Sequence, residues 1–310
     1  MVLSRRNAWQ VRQGIRDTWA SQGNRNVFFI LGQGCPTPPQ YRGSDEGGNS
    51  YCKVHPRPID QNYFNATMQQ IQEEQRITER LLKEQEQYGD LLVMPHTIDM
   101  YRTLPAKLKF AYTFVHFHLP HTVQWVLKVD DDFFVRISEF EAHLQTIRTE
   151  HHKGDKLLPA ILVGGDIRLK HAAHTGGKWK ELPQFPRGAL YPPFPLGSYG
   201  HAVTRPIVSY VAQYQDALFD YQGEDVSIGI WLESQTYPHA PNTTFVKSPH
   251  MANHGDCLRP KFYVVGHDIS HFKMRVCQRA FDNTTTADNT ASSNASSSLA
   301  ALRVRLKGKG

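Results

Sequence analysis

The sequence predicts an α/β fold with a mostly parallel central sheet flanked by helices. Short apolar runs rich in β-branched and aromatic residues recur at 26–31, 91–94, 123–129 and 157–167, stretches with helical spacing are interleaved with them, and two runs end in carboxylates. Strands buried on both faces read as such near-continuous apolar runs, and ligands gather at the carboxyl ends of strands in open α/β sheets. With 310 residues, 40% hydrophobic and 21% charged, the chain can bury a large core as one large domain or two small ones. No apolar run reaches the roughly 18 residues of a membrane span, and Met-Val-Leu-Ser-Arg-Arg at the start is too short and polar for a signal peptide.

Taken in order, apolar residues at 8, 11, 15 and 19 make one face of a short helix whose other face is strongly basic. Asn26-Val-Phe-Phe-Ile-Leu31, ended by Gly32, is the first strand, so a helix feeds the sheet. The segment 33–62 is rich in Pro, Gly and polar residues and reads as a long loop insertion that a Cys35–Cys52 bridge would pin. Thr67 to Tyr88 is a solvent-washed helix stopped at Gly89, and Leu91-Leu-Val-Met94 is the next strand. Thr103 caps a helix through Leu104, Leu108, Ala111, Tyr112, Val115 and Leu119 that closes at Pro120. That helix delivers the chain into a strand where Val123, Trp125, Leu127 and Val129 alternate with period two. Leu157 to Ile167 is a further strand, containing Gly164-Gly-Asp166. Between Lys178 and Pro206 the chain is irregular and aromatic, either a ligand-binding wall or a Pro-rich loop packing its own rings. From 282 onward Asn, Thr, Ser and Ala dominate, which predicts a disordered tail.

Four cysteines, Cys35, Cys52, Cys257 and Cys277, form two sequence-local pairs without metal-type spacing, so two local disulfides and four buried thiols both fit. Asn65, Asn242, Asn283 and Asn294 sit in glycosylation acceptor patterns, which with the paired cysteines lean towards a secretory compartment. The formal charge of +6 is spread without a long basic block, which suits a small anionic ligand and speaks against a nucleic-acid partner.

The fold is organised around Trp125-Val-Leu-Lys-Val-Asp-Asp-Asp-Phe-Phe-Val135, where Asp130, Asp131 and Asp132 stand at the end of a buried strand. Like charges this close repel, so the chain must supply a cation or a shell of hydrogen bonds. A hard divalent ion with oxygen ligands, Mn²⁺ or Mg²⁺, answers that need. A solvated acidic turn is the plainer alternative, but such a turn seldom runs into residues like Phe133, Phe134 and Val135. A second acidic pair, Glu224 and Asp225, opens a helix in Tyr221-Gln-Gly-Glu-Asp-Val-Ser-Ile-Gly-Ile-Trp231. Acidic residues are favoured at a helix start for structural reasons alone. Their weight comes from company, since a metal-binding cluster with a separate carboxylate is what an inverting group transfer needs.

In this order the motifs resemble the β-1,3-glycosyltransferases of the galactosyltransferase type, which have a GT-A, Rossmann-like fold. Arg5-Arg-Asn-Ala and Ile15-Arg-Asp-Thr-Trp19 look like the family's opening, Phe29-Ile-Leu-Gly32 its first strand, and Tyr88-Gly-Asp-Leu-Leu92 with Asp99-Met-Tyr-Arg-Thr-Leu-Pro-Ala-Lys107 its second block. Leu127-Lys-Val-Asp-Asp-Asp132 is similar to its metal motif, and Tyr191-Pro-Pro-Phe194 and Glu224-Asp-Val226 to later blocks. The wording of 221–231 resembles the branch of N-acetylgalactosaminyltransferases and proteoglycan-linker galactosyltransferases. The resemblance implies a catalytic domain over 1–281 that transfers a hexose from a UDP-sugar to the 3-hydroxyl of a glycan or glycoprotein acceptor, forming a β linkage. It further implies Asp132 as a direct Mn²⁺ ligand, Asp130 near the metal or ribose, Asp131 shaping the site, Asp225 as general base and Glu224 orienting substrate. Arg12, Arg16 and Lys107 become candidates for the nucleotide, and His267, in Val264-Val-Gly-His267, for the metal, with His254 and His271 in reserve. Family members are usually held in the Golgi by an N-terminal transmembrane helix, so the resemblance implies either a type II protein of which this sequence is the catalytic part or a soluble member.

Pro195-Leu-Gly-Ser-Tyr-Gly-His-Ala-Val203 departs from the family pattern, because Tyr199 and His201 stand where smaller or differently shaped residues are expected. That departure motivates the rival reading, a non-catalytic carbohydrate-binding or chaperone-like partner of an active transferase. The joint presence of Asp130, Asp132 and Asp225 argues against it, as a binding module needs no proton acceptor. Phosphoester hydrolysis commonly uses two metals, and a second ligand set is not evident.

Overall fold

A computed structural model describes residues 1–21, 26–54, 61–151, 158–186 and 188–282. Its main sheet has seven strands: β1 (Val2–Leu3), β2 (Phe29–Gln33), β3 (Leu91–Ile98), β4 (Trp125–Asp130), β5 (Ala160–Gly164), β6 (His201–Thr204) and β7 (Thr243–Lys247). They lie in the order β7-β5-β6-β4-β1-β2-β3, and all neighbours are parallel except where β6 runs antiparallel to β4 and β5. The expected mostly parallel sheet is therefore present, with one reversed strand beside the acidic one.

Helices α1 (Trp9–Arg16), α2 (Gln61–Tyr88), α3 (Leu104–His118), α4 (Ile137–His151), α5 (Arg205–Gln213) and α6 (Glu224–Trp231) cover it, and a further helical stretch runs through 271–282. Val2, Phe29, Leu31, Val129, Ile161 and Val163 are buried with Phe140 and Leu144 of α4, while Leu108, Tyr112 and Val115 of α3 pack with Val126, Val203, Ile207 and Val211. Each such aliphatic side chain contributes roughly 1.5–3 kcal/mol when fully buried. Gly89 ends α2 at φ +66°, the left-handed conformation expected of a glycine stop. Thr103 stands at the N-cap of α3 but makes no cap to that helix, its hydroxyl bonding Ile98 O and Met100 O instead.

The structure departs from the sequence reading at two points and settles an open one at a third. A strand, β1, precedes the first helix and sits in mid-sheet, pairing Leu3 with Asp130 and with Ile30. Two residues offer no periodicity to read. The insertion 33–62 folds partly into a hairpin, Arg42–Ser44 against Ser50–Val54, pinned by a Cys35–Cys52 disulfide. A second bridge joins Cys257 to Cys277, which resolves the cysteines into two local disulfides. The proposed tail falls outside the described residues beyond Asp282.

Register positions the site. In a small separate sheet Val264 pairs with Val135 and Val265 with Phe134, antiparallel. Continuing that register by two residues sets His267 opposite Asp132.

Candidate active site

Asp130 closes β4, and Lys128 lies two residues earlier on the same face of the strand. The Lys128 side chain is fully buried, with its Nζ 2.9 Å from Asp130 Oδ1 and 2.6 Å from Glu224 Oε1. Burial favours the neutral amine, but the two carboxylates outweigh it and hold the pKa above the ordinary lysine value. A single cation thus ties the strand-end acid to the acid that opens α6.

Asp225, the neighbour of Glu224, is half-buried. Its Oδ2 accepts from the Gly197 N–H at 3.0 Å and its Oδ1 from the Val226 N–H at 2.8 Å. Burial and the adjoining Glu224 charge push its pKa up to about 7, against those two donors and Lys128. A carboxylate so poised is matched to taking a proton near neutral pH. Asp130 is also raised, by desolvation first, although part of its side chain reaches solvent.

Asp132 faces the other way. Its Oδ2 is 2.9 Å from His267 Nδ1 and accepts from the Asp268 N–H at 3.1 Å, while the buried Oδ1 has no hydrogen-bond partner among the described residues. Ligand atoms of Asp132, His267 and Asp268 all lie within 4.8 Å of one another. An orphaned carboxylate oxygen beside an imidazole and a second carboxylate fits a hard divalent cation. Asp268 was not anticipated, and Asp130 stands outside this group, committed to Lys128. His254 borders it, 3.8 Å from Asp268, whereas His271 packs against Phe272.

The remaining expected residues build the framework. Asp131 accepts from Ser4 Oγ at 2.8 Å and from the Arg5 N–H at 3.3 Å, which turns it away from ligand. Arg12 is fully buried and forks onto Glu84 at 2.7 Å while reaching Ser4 Oγ at 3.2 Å. Arg16 divides its guanidinium between Glu84 and Asp90, and buried Lys107 meets Asp99 at 2.5 Å and Ser4 O at 3.0 Å. None of these three cations is left over for a phosphate; through Ser4, Arg12 and Lys107 brace the loop that bears Asp131. Glu224, expected to orient substrate, is spent on Lys128.

The loop that departs from the family pattern is also structural. His201 is buried, with Nε2 3.0 Å from Tyr112 Oη, and burial together with Lys128 lowers its pKa to about 3, so it is neutral. Gly200, at φ +68°, comes so near β4 that a Cβ would stand 2.9 Å from Lys128 O. Lys128 itself was missed by sequence reasoning. The available signal was a lone cation in an apolar strand at the same parity as Asp130.

Comparison with known proteins identifies the family. A family model described as galactosyltransferase matches residues 68–242, and the chain belongs to that glycosyltransferase family. The matched region contains Asp130 to Asp132 and both Glu224 and Asp225. The chain is similar to the Homo sapiens protein named UDP-GalNAc:beta-1,3-N-acetylgalactosaminyltransferase 2, at 36% identity over 156 residues, covering 49% of this chain and 28% of that protein. It resembles Mus musculus beta-1,3-galactosyltransferase 6 at 32% identity over 149 residues, 48% of this chain and 42% of the relative. Arabidopsis thaliana hydroxyproline O-galactosyltransferase GALT2 aligns over 75% of this chain and 28% of its own length, at 24% identity. The chain thus spans well under two thirds of each of these relatives. No helix among the described residues is long and apolar enough to cross a membrane.

Proposed function

We propose that this chain is the catalytic domain of an inverting, metal-dependent transferase that moves galactose or an N-acetylhexosamine from a UDP-sugar to the 3-hydroxyl of an acceptor glycan. The product is a β-1,3 linkage made during protein glycosylation, in the Golgi lumen. The observation that carries the reading is the Lys128 bridge, which holds Asp130 and Glu224 together and so fixes Asp225 relative to the end of β4.

In this mechanism Asp225 takes the proton of the acceptor 3-hydroxyl while that oxygen forms a bond to the donor's anomeric carbon. The bond from that carbon to the diphosphate breaks on the opposite face, and the electron pair leaves with UDP. Gly197 N–H and Val226 N–H keep both Asp225 oxygens oriented for the transfer. Asp132, His267 and Asp268 would hold Mn²⁺, or Mg²⁺ in its place. When bound, such an ion neutralises charge on the departing diphosphate.

The test is UDP release by purified protein from UDP-galactose, UDP-N-acetylgalactosamine and UDP-N-acetylglucosamine, with Mn²⁺ or EDTA and a mixed pool of sugar acceptors. Mn²⁺-dependent, acceptor-stimulated release from one donor is expected. Binding of UDP without any release would favour the non-catalytic partner, and failure to bind UDP would remove the reading. Asp132→Asn should abolish Mn²⁺-dependent UDP binding by calorimetry; unchanged Mn²⁺ affinity would refute the ligand assignment.

A further inference from the structure

A cavity of about 540 Å³ lies between the disulfide-pinned hairpin and the segment 173–188, within the roughly 300–1,000 Å³ of small-molecule sites. Tyr51 and Asp45 line it from the hairpin, and Lys180, Leu182 and Phe185 from the facing segment. Another cavity, of about 420 Å³ between Trp125 and Phe140, is lined by none of the site carboxylates.

The 540 Å³ cavity is built rather than incidental. Arg102 clamps its parts, donating from Nε to Asp45 at 2.6 Å, from Nη2 to Lys180 O at 3.0 Å and from Nη1 to Gln222 O at 3.3 Å. Asn49 Nδ2 donates to Lys178 O at 2.8 Å, and a Cβ on Gly47 would meet Gly177 O at 2.5 Å. The third Arg102 contact joins the cavity to the turn just before Glu224 and Asp225. Glu181 strengthens that join by accepting from the Gln222 N–H at 3.0 Å.

Its chemistry is that of a carbohydrate site. Asp45 is paired with Arg102 and Glu46 with Lys180, and the Glu181 carboxylate has its oxygens occupied by Leu182 N–H, Gln222 N–H and Tyr191 Oη. Tyr51, 40% exposed, lines the cavity, and Trp179, 53% exposed, stands at its edge with its ring 5.9 Å from that of the lining His174. Aromatic faces pack well on the apolar faces of such ligands. Tyr101, next to Arg102 in the chain, has the Lys178 ammonium 4.6 Å from its ring centroid, and burial and then the charges of Glu224 and Asp225 raise its pKa. The buried Gln222 side-chain amide lies against the Tyr101 hydroxyl.

We infer that this cavity, edged by Trp179 and Tyr51 and coupled to Asp225 through Arg102 and Gln222, is the subsite for the acceptor sugar that precedes the one receiving transfer. The inference rests on the transferase reading and adds a length preference to it: the chain selects acceptors of two or more neutral sugars.

The experiment compares lactose with methyl β-galactoside, and N,N′-diacetylchitobiose with methyl β-N-acetylglucosaminide, as acceptors for the wild-type chain, Trp179→Ala and Tyr51→Ala. Wild type should show a lower KM for a disaccharide than for its monosaccharide. Trp179→Ala should raise the disaccharide KM about tenfold and leave the monosaccharide KM, the donor KM and Mn²⁺-dependent UDP binding unchanged. Equal KM changes for both acceptor lengths, or none, overturn the subsite. Saturation-transfer NMR with the same disaccharides, with and without UDP and Mn²⁺, separates the two readings. A disaccharide signal that is present in wild type and vanishes in Trp179→Ala upholds the subsite even if transfer fails, whereas no signal from either disaccharide refutes it.

Discussion

At the scale of single residues, the proposed chemistry rests on Asp225 and Lys128. Asp225→Asn keeps the side-chain shape and one of the two backbone hydrogen bonds but removes the proton acceptor, so turnover should fall about 10²–10⁴-fold with UDP and Mn²⁺ binding intact. Retained turnover would show that another group accepts the proton. Because burial and Glu224 raise Asp225 to about 7, the reactive, ionised form is lost as pH falls through that value. kcat/KM should therefore decline about tenfold per pH unit on the acid side of neutrality, and a flat profile between pH 5 and 7 would contradict the assignment. The sign for stability is opposite. A carboxyl whose folded pKa lies above its unfolded value near 4 disfavours the folded state increasingly as pH rises from about 4 to about 7. Lys128→Met removes the counter-charge and strands Glu224 in a buried position, at a cost of roughly 3–5 kcal/mol for breaking a buried pair. Chemical denaturation would measure it, and a loss below about 1 kcal/mol would mean that Glu224 escapes to water.

At the scale of elements, the legible and the illegible parts of the site divide along contact range. Asp130 to Asp132 could be placed at a strand end because Val123 to Val129 alternate locally, and His267 could be singled out from the apolar run before it. The Lys128 to Glu224 contact spans 96 residues and depends on α6 packing against α3 and the strand Phe194–Pro195, which no local pattern encodes. Arg12, Arg16 and Lys107 fail for the same reason. A cation on a helix reads alike whether it awaits a phosphate or already holds a carboxylate from a distant helix, and Glu84 lies 72 residues from Arg12. Helices α4 and α5 follow almost directly on strands, so no loop of turn residues marks where their helical spacing begins. The loop between Pro195 and β6 shows how tightly such elements meet. Gly200→Ala must adopt a left-handed backbone, costing roughly 1–2 kcal/mol, and must displace Lys128 O, which a Cβ would approach to 2.9 Å. Its melting temperature should fall and Asp225-dependent turnover with it; an unchanged melting curve would mean that the β4–β6 contact is loose.

At the scale of the whole molecule, the two disulfides carry a share of stability that a reducing compartment would withdraw. Each closes a loop of moderate length, 17 and 20 residues in separation, for which chain-entropy arguments give about 3 kcal/mol. Together that is a large fraction of the roughly 5–15 kcal/mol that holds an ordinary domain folded. The bridges also frame the two functional edges. Cys35–Cys52 pins the hairpin that walls the cavity, and Cys257–Cys277 encloses the segment bearing His267 and Asp268. Asn65 and Asn242, both in acceptor patterns, are exposed, so on the proposed secretory route they would be open to N-glycosylation. Protein made through a secretory pathway should therefore shift in mobility on N-glycan removal and melt more than about 10 °C above protein kept reduced, taking roughly 2–4 °C per kcal/mol for a large domain. Cys277→Ser separates the contributions. It should lower the melting temperature by about half that amount and weaken Mn²⁺ binding, while disaccharide binding at the hairpin cavity persists. Loss of both ligands together would instead mean that the two edges unfold as one unit.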